Sequence, residues 1–284
     1  MREPLFNNVT IIGVGLIGAS CALALKKSGL CGTVCGYGRT EANLKQAKEQ
    51  GIINEYSLEI RKACEHADLV ILSTPVGLFN KIVREIRDVL KKNTLITDVG
   101  SVKGHLVNEL EELMPEGVRY IGSHPIAGSD RSGIAHARAD LFDGARCIVT
   151  PTEHSEKRTV QQITTLWESC GGNVEIMDPM LHDEIYAAVS HLPHLIAFAL
   201  VNTVDDSNAE YLKYAGPGFK DATRIALSSP EMWRDISLLN GNNLIELIER
   251  FGSNLSIIAS LIRNADAAGL EHEFSKARTL REKC

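Results

Sequence analysis

Several features that announce a function are missing from this chain. No cysteines form a CxxC pair and no HExxH occurs, so the common sequence signs of zinc are absent and no metal is expected. The seven cysteines (Cys21, Cys31, Cys35, Cys64, Cys147, Cys170, Cys284) fall mostly in apolar segments, and reduced thiols of a cytosolic protein are expected. No Lys/Arg block appears, and a net charge of −6 argues against a nucleic-acid or polyanion surface. No apolar run approaches the ~18 residues that span a bilayer. The N-terminal MREPLFNNVTIIG shows no signal-peptide cleavage pattern and enters a strand almost at once, so a cytoplasmic location is expected. Gly/Ser-rich linkers, repeats and low-complexity segments are also lacking.

What is present is an alternation of short β-branched runs and longer amphipathic stretches. VTIIG (Val9–Gly13) precedes a helical pattern from Leu16 to Ser28, and TVCGY (Thr33–Tyr37) precedes EANLKQAKEQ. LVILS (Leu69–Ser73), TLITDV (Thr94–Val99) and RYIG (Arg119–Gly122) continue the series, and CIVTP and NVEIM bracket a further helix. This grammar predicts an α/β domain with a Rossmann-type parallel sheet over residues 1–177. From Asp178 onward only helical patterns follow, so residues 178–284 are expected to form an all-helical domain. Pro193 is expected to kink the apolar helix LHDEIYAAVSHLPHLIAFALV.

Gly13-Val14-Gly15-Leu16-Ile17-Gly18 is a GxGxxG directly after the first strand and opening a helix, the context that makes it a dinucleotide-binding turn. Gly13 permits the turn, Gly15 lets a pyrophosphate approach, and Gly18 lets helix and strand pack, with the phosphates on the helix N-terminus. NAD enzymes usually end the second strand with Asp or Glu. Here Gly38, Arg39 and Thr40 stand instead, with room and charge for a 2′-phosphate, so the expectation leans to NADP over NAD. Arg39 could equally stack on adenine or face solvent, and Glu41 is close by.

Loops at the carboxyl ends of parallel strands line the ligand cleft. Those loops carry Ser73-Thr74-Pro75, then Ser101 within DVGSVKG, then His124 within GSHP. A histidine there can relieve the charge that hydride loss leaves on a carbinol carbon, and its ordinary pKa near 6.5 suits that task. Ser101 could orient the imidazole or share the substrate hydroxyl. Lys103 and Arg131 could be solvated.

DVGSVKG, GSHPIAGSDRSG, HDEIYAAVSHLPH and GFKDATRIALSSPEMWRDI together resemble the prephenate/arogenate (cyclohexadienyl) dehydrogenases of tyrosine biosynthesis, from the first glycines to about Arg250. The resemblance implies oxidative decarboxylation of prephenate or arogenate with hydride transfer to NAD(P)⁺. It assigns His124 the contact with the ring hydroxyl, Ser101 the role of its partner, and Arg224 the ring carboxylate. It places His194 in the substrate pocket, with His191 as a structural neighbour; a metal on this histidine pair is the rival explanation. Trp233 is expected beside the pocket, although a lone Trp is as often core. Asp130, in the GSHP loop, would favour the ammonium group of arogenate, or could instead pair with Arg131. His182 and Asp183 are expected to start the helix and meet a partner subunit, and a homodimer through the helical domain is implied. No fused mutase or regulatory domain is expected.

Two other classes remain open. A β-hydroxy acid or imine dehydrogenase would share the glycines but usually relies on a lysine in the helical half, and none stands in the apolar helix. A non-catalytic NAD(P) sensor would need the glycines without Ser101, His124 and Arg224 together.

Overall fold

A computed structural model describes residues 3–128 and 133–283. Eight strands form one sheet: β1 (Phe6–Ile12), β2 (Cys31–Tyr37), β3 (Glu55–Ser57), β4 (Leu69–Leu72), β5 (Leu95–Asp98), β6 (Arg119–Pro125), β7 (Arg146–Thr150) and β8 (Asn173–Ile176). Their order is β3-β2-β1-β4-β5-β6-β7-β8, every pairing parallel except β6 with β7. The first six strands repeat the doubly wound dinucleotide-binding order, whose switch point lies between β1 and β4. Helices α1 (Leu16–Ser28), α2 (Glu41–Glu49), α3 (Ile60–Cys64), α4 (Phe79–Ile86), α5 (Gly104–Glu112) and α6 (Lys157–Ser169) make the crossovers.

The central strands read as unbroken apolar runs because both faces are covered. Ile11, Leu69 and Ile71 enter one core, while their neighbours Ile12, Val70 and Leu72 enter the other. Alternate residues thus feed opposite layers, as a period of two requires.

Two strand assignments differ from the sequence reading. β3 is a three-residue edge strand, too short and polar to leave a pattern. β6 does not stop at Gly122 but runs through Ser123, His124 and Pro125, pairing antiparallel with β7 so that His124 lies opposite Ile148. The histidine therefore stands on a rigid strand end, not in a loop.

After β8 come α7 (Pro179–Tyr186), a π-helical segment (Ala187–His191), α8 (Leu192–Asn208), α9 (Pro217–Thr223) and α10 (Pro230–Leu239). Asp178 caps α7 by accepting from the Met180 and Leu181 N–H groups. The disturbance expected at Pro193 takes the form of the π segment just before it. A proline lacks the N–H a regular helix would use, and the wider turn inserts one residue into the face. From His182 and Tyr186 a straight α-helix would next turn Ser190 inward; the insertion buries His191 instead, 1% exposed.

The continuous helix Pro179–Tyr214 contains a window of mean hydropathy 1.4, long and apolar enough by length and composition to cross a membrane. This corrects the expectation that no segment reaches that length, although the same helix buries His182, Asp183 and His191. The chain divides into two compact units, Met1–Asn240 and Gly241–Cys284. The second contains α11 (Gly241–Arg263) and α12 (Ala267–Arg281), packed on each other.

Candidate active site

The glycine turn sits at the switch point. Gly13 adopts φ +101°, and a Cβ there would overlap the Ser73 carbonyl at the end of β4. A Cβ on Gly18 would overlap the Gly13 carbonyl and lie 3.1 Å from Ser73 Oγ. The structure thus brings Gly13, Gly18, Ser73 and Thr74 together, with Pro75 next along the chain. Gly15, the N-cap of α1, has open space where its Cβ would stand, and no side chain caps the helix. Leu16 and Ile17 open α1, Leu16 buried and Ile17 packed on the core. An uncapped helix N-terminus facing open space at Gly15 fits a dinucleotide pyrophosphate.

Beyond β2, Gly38 has only Leu44 near its missing Cβ. Arg39 and Thr40 are exposed, and Thr40 precedes α2 without using its hydroxyl as a cap. Glu41 is engaged by Lys45 at 3.1 Å and by the Tyr56 hydroxyl at 3.3 Å.

His124 is 8% exposed, and its Nδ1 lies 2.9 Å from His182 Nε2 on α7. His182 Nδ1 lies 2.8 Å from Asp183 Oδ1, which also accepts from the Lys103 N–H at 2.8 Å. Asp183 Oδ2 covers Gly104, where a Cβ would come within 2.5 Å, so only glycine leaves room for this carboxylate at the N-terminus of α5. The tautomers follow in order. A carboxylate accepts, so His182 donates from Nδ1 and offers the Nε2 lone pair. His124 then donates from Nδ1, which leaves its Nε2 as an acceptor, with no partner among the described residues. Tyr186 packs on both rings, 5.1 Å from His124 and 4.5 Å from His182 between centroids.

Electrostatics favour the neutral imidazoles. Burial first, then His182, Lys103 and His191, hold His124 well below its ordinary value. His182 is lowered by burial and then by the Lys103 and His191 charges. Burial raises Asp183, opposed by the N–H groups of Lys103 and Gly104.

Three expectations are corrected here. Ser101 makes no hydrogen bond to His124; the partner is His182. His182 and Asp183, expected at a subunit contact, are buried behind His124. Lys103, for which a solvated position was left open, is fully buried. The His182-Asp183 pair was visible as a dipeptide, but nothing local signals a partner 58 residues away.

The helical elements supply a second group. His194 stacks on Trp233, centroids 3.7 Å apart and planes at 24°, and its Nδ1 donates to the Ser190 carbonyl at 2.9 Å. His194 is lowered by burial, opposed by the Ser190 carbonyl and reinforced by the charge of Arg224, which begins the turn after α9. His194, Trp233 and Arg224 are therefore neighbours. His191 accepts at Nδ1 from Asn240 at 3.2 Å, consistent with its structural assignment. Asp130 and Arg131 lie outside the described residues.

Comparison with known proteins agrees with this arrangement. Residues 21–176 match the family model "Prephenate dehydrogenase, nucleotide-binding domain", and residues 178–276 match "Prephenate dehydrogenase, dimerization domain". The cyclohexadienyl dehydrogenase of Zymomonas mobilis is 32% identical over 280 residues, covering 97% of this chain and 95% of its own. The prephenate dehydrogenase of Lactococcus lactis is 35% identical over 279 residues, covering 96% of this chain and 76% of its own. The crystal structure of Aquifex aeolicus prephenate dehydrogenase, in complex with hydroxyphenyl propionate and NAD⁺, superposes with a TM-score of 0.91 at 39% identity, covering 98% of each chain. The chain is an oxidoreductase with a nucleotide-binding domain for NAD(P), and it belongs to the prephenate dehydrogenase family.

Proposed function

We propose that this protein converts prephenate, arogenate or both to 4-hydroxyphenylpyruvate or tyrosine by oxidative decarboxylation, in tyrosine biosynthesis in the cytoplasm. The observation that carries the reading is the buried line Asp183–His182–His124, which ends in an acceptor nitrogen with no partner among the described residues. His124 Nε2 accepts a hydrogen bond from the ring hydroxyl and offsets the positive charge that hydride loss leaves on that carbon. Arg224 holds the ring carboxylate, which departs as carbon dioxide while the ring becomes aromatic. His194, stacked on Trp233, lines the pocket. Ser101 acts on the substrate hydroxyl, since His182 already occupies His124 Nδ1. When bound, the nicotinamide supplies the hydride acceptor that no side chain provides. Residues 1–177 serve as the dinucleotide domain and 178–284 as the substrate and dimerisation domain. Exposed Ile245, Ile248, Leu255 and Ile257 on α11 suit an apolar homodimer contact.

NADP is the preferred cofactor on this reading. No carboxylate ends β2, Glu41 is held by Lys45 and Tyr56, and Arg39 and Thr40 stand exposed beside Gly38. Changing Arg39→Ala is expected to lower kcat/KM for NADP⁺ at least about tenfold and to leave NAD⁺ within about threefold. Equal losses with both nucleotides would remove the 2′-phosphate contact.

Arg224→Gln removes the fixed cation for the ring carboxylate and shortens the side chain by about two atoms while keeping one amide donor. KM is expected to rise roughly 10–100-fold, with kcat changing much less. A fall confined to kcat would place Arg224 elsewhere in the reaction.

A steady-state assay tests the function as a whole. Prephenate and arogenate are each supplied with NAD⁺ and NADP⁺, and reduced nicotinamide is followed. Turnover is expected with at least one pair, and the best pair ranks substrate and nucleotide. Silence in all four with nucleotide binding intact would turn the reading toward another hydroxy-acid or imine dehydrogenase, or a sensor.

A further inference from the structure

Lysine is among the residues least often sealed from water, yet Lys103 is fully buried and has no role in the chemistry above. Its ammonium pairs with Asp98 at the end of β5 and donates to the Val102 carbonyl at 3.1 Å. Asp98 accepts three further hydrogen bonds: from the Tyr120 hydroxyl at 2.8 Å, the Ser123 N–H at 3.0 Å and the Gly100 N–H at 2.8 Å. The lysine stem runs past Gly122 of β6, where a Cβ would come within 3.2 Å of Cδ. The main-chain N–H of the same residue donates to Asp183 Oδ1.

One residue is therefore clamped twice, to β5 through its side chain and to α7 through its backbone. Where the ammonium sits determines where the N–H sits. The N–H in turn holds the carboxylate that orients His182, and His182 orients His124. Asp98 also grips β6 itself at Tyr120 and Ser123, the latter one residue before His124. A buried ion pair is weak evidence for stability, because apolar replacements often do as well. Its specific use here is geometric.

We infer that the buried Asp98–Lys103 pair is a positioning element for the reaction, setting the 98–104 loop against α7 and thereby the orientation of His182 and His124. The inference rests on the reading of His124 as the acceptor.

The pair also has an electrostatic consequence. Among the described residues, the titratable and charged groups around His124 are Asp98 and Lys103 from the loop after β5, and Tyr120 from β6. Cys147 and Arg146 come from β7, His182, Asp183 and Tyr186 from α7, and His191 from the π segment. Lys103 is the fixed cation whose charge bears on His124, and it opposes protonation. Removing it favours the imidazolium, so the acidic limb of activity moves to higher pH.

The test compares Lys103→Met, Asp98→Asn/Lys103→Met and His124→Asn with wild type, using the best substrate and nucleotide pair. Thermal melting and nucleotide affinity report the fold. The single lysine change strands a buried carboxylate; if it melts, the double variant, with no charge left alone, carries the test. Expected for the folded lysine variants are a kcat loss of at least about tenfold and KM within about threefold of wild type. In the single variant the acidic limb is also expected to rise by about half to one pH unit, whereas in the double variant the Asp98 carboxylate leaves with the cation and the limb is expected to stay near wild type. Wild-type kcat in a folded lysine variant overturns the inference. If His124→Asn keeps its turnover, the acceptor reading itself fails. If His124→Asn is inactive while the double variant behaves as wild type, only the positioning role falls.

Discussion

The His124→Asn variant is expected to lose roughly 10²–10⁴ in kcat, the usual worth of a positioned general base. Asparagine can still donate to His182 Nε2, so the buried line keeps its first hydrogen bond and the strand end its packing. What disappears is the basic lone pair facing the substrate hydroxyl, because an amide oxygen is a poor proton acceptor. That loss corresponds to about 2.7–5.4 kcal/mol of transition-state stabilisation. Nucleotide affinity is expected to stay within about threefold, since the glycine turn lies after β1 and is not attached to β6. Steady-state kinetics with a parallel nucleotide titration checks both halves. Near-normal turnover would mean that His124 is not the base.

The Asp183→Asn variant carries the second large effect, although its side chain lies behind His182. Oδ1 accepts from the Lys103 N–H and from His182 Nδ1, and Oδ2 sits over Gly104 at the start of α5. An amide presents one acceptor and one donor to a site built of donors, so its NH₂ must face one of them. When it faces His182, the imidazole has to accept at Nδ1 and carry its proton on Nε2. His124 must then accept from His182, and its outward nitrogen becomes a donor. The reaction needs the opposite polarity. A tautomer error of this kind in a catalytic triad costs up to about 10⁴ in kcat, and roughly 10²–10⁴ is expected here. Some stability, about 0.5–2 kcal/mol, is also expected to go with the charge at the helix N-terminus. The signature is a large kcat loss with the fold and nucleotide affinity retained. An equal loss of nucleotide affinity would instead point to general unfolding of the 98–104 loop.

Both changes touch residues that differ in how far sequence reveals them. The glycine turn was legible because its signal is local: three glycines at fixed spacing between a strand and a helix. His124 was legible as a candidate, but its strand was not. Gly122 and Pro125 punctuate the segment like a loop, and only the antiparallel partner β7 extends the pairing. Arg224, His194 and Trp233 carry no signal by type alone; ordered motifs singled them out, and the structure makes them neighbours.

His182 and Asp183 were misplaced, and Lys103 was left open, for one shared reason. Polar residues are read as surface unless a partner is visible, and their partners lie on other elements. A weak cue did exist for Lys103, since Asp98 stands five residues earlier in the same strand-end loop. For the π segment the cue was Pro193, which marks a disturbance without specifying its form.

The pH dependence of kcat/KM, measured in parallel for wild type and His124→Asn, tests most directly whether a neutral His124 is the acceptor. Burial and the surrounding charges hold this imidazole well below its ordinary value, so the acceptor form persists as pH falls through about 6.5. Wild-type activity is expected to hold down to about pH 6, where burial places the Asp183 carboxyl, and to decline below it as Asp183 and then His124 take up protons. The His124→Asn variant is expected to be slow and to lack the His124 part of that limb. A wild-type limb above pH 6.5, or the same limb surviving unchanged in the variant, would contradict the assignment.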